Sequence, residues 1–154
     1  MSGFMQRILD RLNNRMDARA MRHEERDLQD LLNEAGAEGA QYARINAPFD
    51  TGALRESIGY RIEGDEIVIS ATVPYAPYVE YGTGMRGENP TGPYVIRPVR
   101  AQALRFVVNG RVVFAKKVTH RGIKAQPFLR PALRHAAGVV NARGGRFKGR
   151  VSAG

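Results

Sequence analysis

Three patterns in the 154-residue chain predict an α+β fold. Apolar residues recur at helical spacing over residues 24–46, alternate with period two over 54–73, and return to helical spacing over 127–140. The expected architecture has N-terminal helices, an antiparallel β-sheet of hairpins and a C-terminal helix packed on the sheet, with extended N- and C-terminal arms. The length suits one domain with a real core. The expected boundaries are an N-terminal arm or helix over 1–22, one α+β domain over 23–141, and a basic flexible tail over 142–154.

In residues 4–22, Phe4, Ile8, Leu12 and Met16 follow a spacing of four, while Asp10, Arg11, Arg15 and Arg19 fill other positions. So few apolar residues predict an arm that packs only on a neighbour. The pattern weakens around Met21–Arg26, where a break is expected. The next helix has the stripe Leu28, Leu31, Leu32, Ala35, Gly39, Tyr42 and Ala43. Gly36 and Gly39 among alanines make a surface that another element can approach closely. Pro48 ends this helix, because it disfavours helical geometry in the residue before it.

From Leu54 the period becomes two, through Glu56, Ile58, Tyr60 and Ile62. A Gly64-Asp65 turn and a return strand from Glu66 to Val73 complete a hairpin. Residues 85–101 hold too many Gly and Pro for regular structure, although Val95 and Ile96 can be extended. A second hairpin follows: two apolar runs flank Asn109-Gly110, a pair suited to a turn that needs positive φ. Residues 119–124 read as a loop. The last helix opens near Pro127, with Phe128, Leu129, Ala132, Leu133, Ala136 and Val140 as its stripe. The Gly/Arg-rich tail after Asn141 is expected to be disordered when alone.

The most unusual stretch is Val73–Gly84, which holds three of the six tyrosines. Tyr75, Tyr78 and Tyr81 are three apart, so one or two helical turns stack them on one face. Two readings stand: a buried aromatic corner around Glu80, and a subunit-contact corner that exploits the polar tips of tyrosine.

Cysteine is absent, which excludes disulfides, thiolate metal sites and cysteine nucleophiles. No apolar run is long enough to span a bilayer, and Met1–Arg7 has no apolar core like that of a signal peptide. Charge is partitioned along the chain. Residues 1–88 hold 10 Lys/Arg and 15 Asp/Glu, net −5; residues 89–154 hold 14 Lys/Arg and no acid, net +14. Such asymmetry suits copies joined head to tail, or a polyanion partner. The histidines His23, His120 and His135 have no metal-ligand spacing, and no nucleophile or phosphate-loop motif occurs. Neither catalysis, a metal nor a cofactor is expected.

Three blocks together resemble a known family. They are Ala47-Pro48-Phe49-Asp50-Thr51-Gly52-Ala53-Leu54-Arg55-Glu56-Ser57-Ile58, Tyr75-Ala76-Pro77-Tyr78-Val79-Glu80-Tyr81-Gly82-Thr83 and Gln126-Pro127-Phe128-Leu129-Arg130-Pro131-Ala132-Leu133. In order and spacing they look like the small tail-completion, or head–tail joining, proteins of long-tailed bacteriophages. The family often has His-Pro-Gly where this chain has His120-Arg121-Gly122.

The resemblance implies a non-catalytic α+β subunit of the virion neck, assembled in the bacterial host cytoplasm. It implies a homo-oligomeric ring, hexameric or dodecameric, between a head-closure or adaptor ring and a tail terminator or tail tube protein. It further implies that phage DNA passes through the lumen and that no membrane is involved. Pro48, Thr51, Gly52, Leu54, Arg55, Tyr75, Tyr78, Glu80, Gly82, Thr83, Pro127, Phe128 and Leu129 are the candidate structural and interface residues. Arg105, Arg111, Lys116, Lys117, Arg143, Arg146, Lys148 and Arg150 are the candidate basic contacts. The competing reading is a basic nucleic-acid-binding protein that grips phosphate without sequence preference.

Overall fold

The computed structural model describes residues 3–154; Met1 and Ser2, part of the expected arm, lie outside the described residues. Helix α1 runs unbroken over Gly3–Asn46. The break expected near Met21–Arg26 does not occur. No Gly or Pro interrupts the chain between Phe4 and Ala35, so nothing there stops helix propagation. At 1.5 Å per residue, α1 is about 66 Å long.

A short helix, α2 (Ala53–Glu56), replaces the expected start of the first strand. The alternation at Leu54 and Glu56 was deceptive, because Leu54 is buried from a helical turn that follows Gly52 at φ 91°. Strands β1 (Ile58–Glu63) and β2 (Glu66–Ala71) then form the expected antiparallel hairpin. The tyrosine stretch forms α3 (Ala76–Tyr81), followed by a 3-10 turn at Gly84–Arg86. Strands β3 (Tyr94–Ile96) and β6 (Val118–His120) pair with each other, so His120 is in a strand and not in the expected loop. Between them, β4 (Leu104–Val108) and β5 (Arg111–Ala115) form the second hairpin, with Asn109 at φ 50° and Gly110 at φ 77°. Helix α4 spans Leu129–Ala142.

The C-terminal segment is not a free tail. Gly149–Ala153 form β7, which pairs in parallel with β2, with Val151 opposite Ile69. Val151 and Phe147 pack against the core. Two apolar residues in a basic tail were enough to seat it; the α+β class holds, with the expected antiparallel hairpins β1–β2 and β4–β5 in separate small sheets and β7 making the first of them mixed.

The core lies between the sheet β1–β2–β7 and the two helices α1 and α4. It contains Leu32, Ala35, Ala40 and Ala43 of α1, Ile67 and Ile69 of β2, and Phe128, Leu129, Ala132, Ala136 and Val140. Gly39 sets the separation of the layers: a Cβ there would lie 2.6 Å from Ile69 Cδ1 and 3.1 Å from Ala136 Cβ. The outer face of the sheet carries charge. Arg61 and Arg150 flank the buried Val68, and their stems can shield it while Arg150 pairs with Glu63 and Glu66.

Candidate functional site

The three sequence blocks meet in space around α3. Its expected buried face is reversed: Ala76 and Glu80 are fully buried, whereas Tyr75, Tyr78 and Tyr81 are exposed. The buried aromatic corner is therefore replaced by a surface of tyrosines over a buried carboxylate. At about 100° per residue Glu80 and Tyr78 lie roughly 160° apart around α3, so burying one exposes the other, and Glu80 has the stronger claim on the interior.

That claim is the N-terminus of α4. The Glu80 carboxylate accepts the backbone N–H groups of Phe128 at 2.8 Å, Leu129 at 2.9 Å and Arg130 at 3.1 Å. The first turn of a helix leaves such donors without partners, and Phe128 has no side chain able to cap them. The next residue, Pro131, has no N–H to satisfy. A carboxylate here also meets the positive end of the helix dipole. Arg130 completes the charge balance: its Nε donates to Glu80 at 2.7 Å, and its guanidinium also pairs with Glu88 and stacks on the Tyr81 ring at 4.8 Å. Glu88 is thereby held below its usual pKa, mainly by the Arg130 hydrogen bond, and Arg130 is pushed up by Glu88 and Glu80.

Backbone contacts close the rest of the junction. Gln126 N–H donates to the Val79 carbonyl at 2.8 Å, and Thr83 and Ile123 exchange both backbone hydrogen bonds. The Ile123 N–H also donates to Thr83 Oγ1 at 3.0 Å. Gly82 fits this approach because a Cβ would lie 2.5 Å from the Ile123 carbonyl oxygen. Phe128 and Leu129 are fully buried, while Pro127 is exposed at the entry to α4.

The first block is a closed loop beside α3. Arg55 donates from Nε and Nη2 to the Ala47 carbonyl, at 3.1 and 2.9 Å, and its guanidinium covers the Phe49 ring at 4.9 Å. Thr51 Oγ1 accepts from Ala53 N–H. Pro48, Thr51, Gly52 and Leu54 line an open groove of about 440 Å³ together with Tyr75 and Val79. A second hollow, of about 420 Å³, lies between Tyr78, Thr83 and Tyr94. The motif residues thus build a joint and two surface grooves.

The basic candidates divide. Arg143 pairs with Glu34, Lys148 with Asp65, and Arg150 with Glu63 and Glu66, so three of the four tail cations are used within the chain. Arg146 is exposed. Arg105, Arg111, Lys116 and Lys117 are exposed on or beside the β4–β5 hairpin and form no ion pair among the described residues. Residues 94–124 hold eight Lys/Arg and no acid, so a net charge of +8 sits there out of +9 for the whole chain. Two histidines also find structural places. His135 stacks on Tyr42 at 4.9 Å and contacts Glu38, and His120 Nδ1 accepts from Gly122 N–H.

Arg130 and Glu88 were not among the residues singled out in the sequence. Arg130 sits at the one open position of the block Pro-Phe-Leu-x-Pro-Ala, and its signal is visible only once Glu80 is known to be buried.

Residues 10–82 match the family model described as "Bacteriophage HK97-gp10, putative tail-component". Over that stretch the chain is similar to phage tail components. This is the relationship that the sequence blocks indicate, and it supports a structural, tail-related role in a phage particle. The match takes in the groove-lining first block and ends at Gly82, two residues after Glu80. The partners of Glu80 at 128–130 and the basic segment 94–124 lie beyond it. Searches of curated proteins and of solved structures found no match.

Proposed function

We propose that this protein is a structural subunit of a phage neck. In this reading it forms a ring that completes the tail and joins it to the DNA-filled head, and the genome passes through the lumen. One ring face meets a head-closure or adaptor ring, and the other meets a tail terminator or tail tube protein.

The observation that carries this reading is the division of the chain into a satisfied core and two elements without one. Every residue from Gly3 to Asp30 is exposed except the half-buried Ala18. The β4–β5 hairpin exposes Val107, Val108, Val112, Val113 and Phe114. A two-stranded hairpin is marginal alone in water, and half a helix without packing is little better. Both elements suit a subunit completed by its neighbours.

The second reading is nucleic-acid binding, and the +8 of residues 94–124 favours it. It leaves the apolar side chains of the hairpin uncovered. A neck ring accommodates both: the hairpin rests on protein while some of its cations face the lumen, where a modest positive lining still lets DNA slide.

Cryo-electron microscopy of particles carrying a C-terminally tagged chain tests the proposal. A ring of tag density at the head–tail junction is the expected result. Density distributed along the tail tube, or none in the particle, would overturn it.

A further inference from the structure

The exposed part of α1 carries two charged sides that complement each other. Arg11, Arg15, Arg19, Arg22 and Arg26 are spaced by four, four, three and four, so they form one ridge. Phe4, Ile8 and Leu12 lie on the same side and extend it towards the N-terminus. Asp10, Asp17 and Glu24 are seven apart and form a second line. At about 100° per residue the two lines lie roughly 160° apart around the helix.

None of these eight charged residues forms an ion pair within the chain, among the described residues. The core-facing stripe of α1 begins only at Leu32. Every described residue before Leu31 is exposed except the half-buried Ala18, so the domain to which α1 belongs leaves this half of the helix uncovered.

We propose that the N-terminal half of α1 is the contact between copies of this chain: the arginine side of one copy packs on the Asp10–Asp17–Glu24 line of the next. Two different and nearly opposite surfaces make a heterologous contact. Such contacts propagate head to tail, and a row that closes is a ring. A second copy is favoured over DNA because the helix offers both signs in register. A polyanion would leave the acidic line opposite bulk solvent or its own phosphates. This deepens the ring reading, but self-association is measured in solution and needs no neck.

Charge reversal gives the test. One variant carries Asp10→Lys, Asp17→Lys and Glu24→Lys; the other carries Arg15→Glu, Arg19→Glu and Arg22→Glu. Both alter only exposed positions, so the core is left intact. Sedimentation equilibrium should show the parent chain as an oligomer and each variant alone near its 17.0 kDa monomer mass. An equimolar mixture should recover the parent mass, because each altered side then meets an opposite charge. A monomeric parent at the highest soluble concentration, parent mass in either variant alone, or a mixture that stays monomeric would overturn the proposal.

Cysteine cross-linking gives an independent measurement in this cysteine-free chain. On oxidation, Asp17→Cys with Arg19→Cys in one chain should give a ladder of multimers, while a chain with either substitution alone should form no cross-link, not even a disulfide dimer. A disulfide-linked dimer from a single substitution would mean that like sides meet, and would also overturn it.

Discussion

Glu80 and Arg130 hold each other at 2.7 Å across the joint between α3 and α4, with the carboxylate fully buried and the guanidinium reaching the surface. The same carboxylate receives three backbone donors from the start of α4. Replacing it removes a cap, a charge partner and a dipole complement together. Glu80→Ala should destabilise the protein by about 3–5 kcal/mol, the usual cost of breaking a buried pair. Urea unfolding measures it. A loss below about 1 kcal/mol, a typical single hydrogen bond, would mean that the joint is not what orders α4.

Acid should loosen the charged contacts in a defined direction. Glu63 is held below its usual pKa chiefly by Arg61 and then Arg150, Asp65 by Lys148, and Glu88 by Arg130. A carboxylate with a depressed folded pKa contributes its stabilisation in full above its unfolded pKa, near 4, and loses it as pH falls through the lower folded value. The urea midpoint should thus be flat from neutral pH to about 5 and fall below about 4. In Glu88→Gln the acid limb should be shallower. A midpoint that rises on acidification would reverse the sign and refute the assignment of these pairs.

Two glycines in helices should respond oppositely to alanine. Gly39→Ala drives a Cβ towards Ile69 and Ala136, and overpacking of about 1–3 kcal/mol outweighs a helix-propensity gain of about 1 kcal/mol. Gly138 has open space beside it in α4, so Gly138→Ala should stabilise by up to about 1 kcal/mol. Thermal melts of the pair test the packing of α1 on α4. Equal shifts would place Gly39 away from the interface.

Tyr78 is 56% exposed, so Tyr78→Ala should change stability by no more than about 0.5 kcal/mol. Assembly into particles should nevertheless suffer if the tyrosine surface is a contact. A large drop in the thermal midpoint would restore the buried aromatic corner.

Much of the framework was readable from the residues. The small-residue face of α1, the Asn109-Gly110 turn and the stripe from Phe128 to Val140 each rest on a local rule, and each stands in the structure. Two local readings failed, the break in α1 and the early start of the first strand, and the larger failures were long-range. The tyrosine spacing was right for a helix, yet which face it buries was decided by the unpaired N–H groups of a helix 48 residues away. Likewise, a Gly/Arg-rich tail looks disordered until β2 offers it an open edge and Glu34, Glu63, Asp65 and Glu66 neutralise it. The charge asymmetry was visible, but not that folding would cancel part of it and leave residues 94–124 as the basic surface.

The central claim is most directly tested by removing the protein from a phage that encodes it. Lysates lacking the chain should contain DNA-filled heads and separate tails of normal length, and adding the purified chain should join them into infectious particles. Joined, infectious particles formed without it would contradict the account.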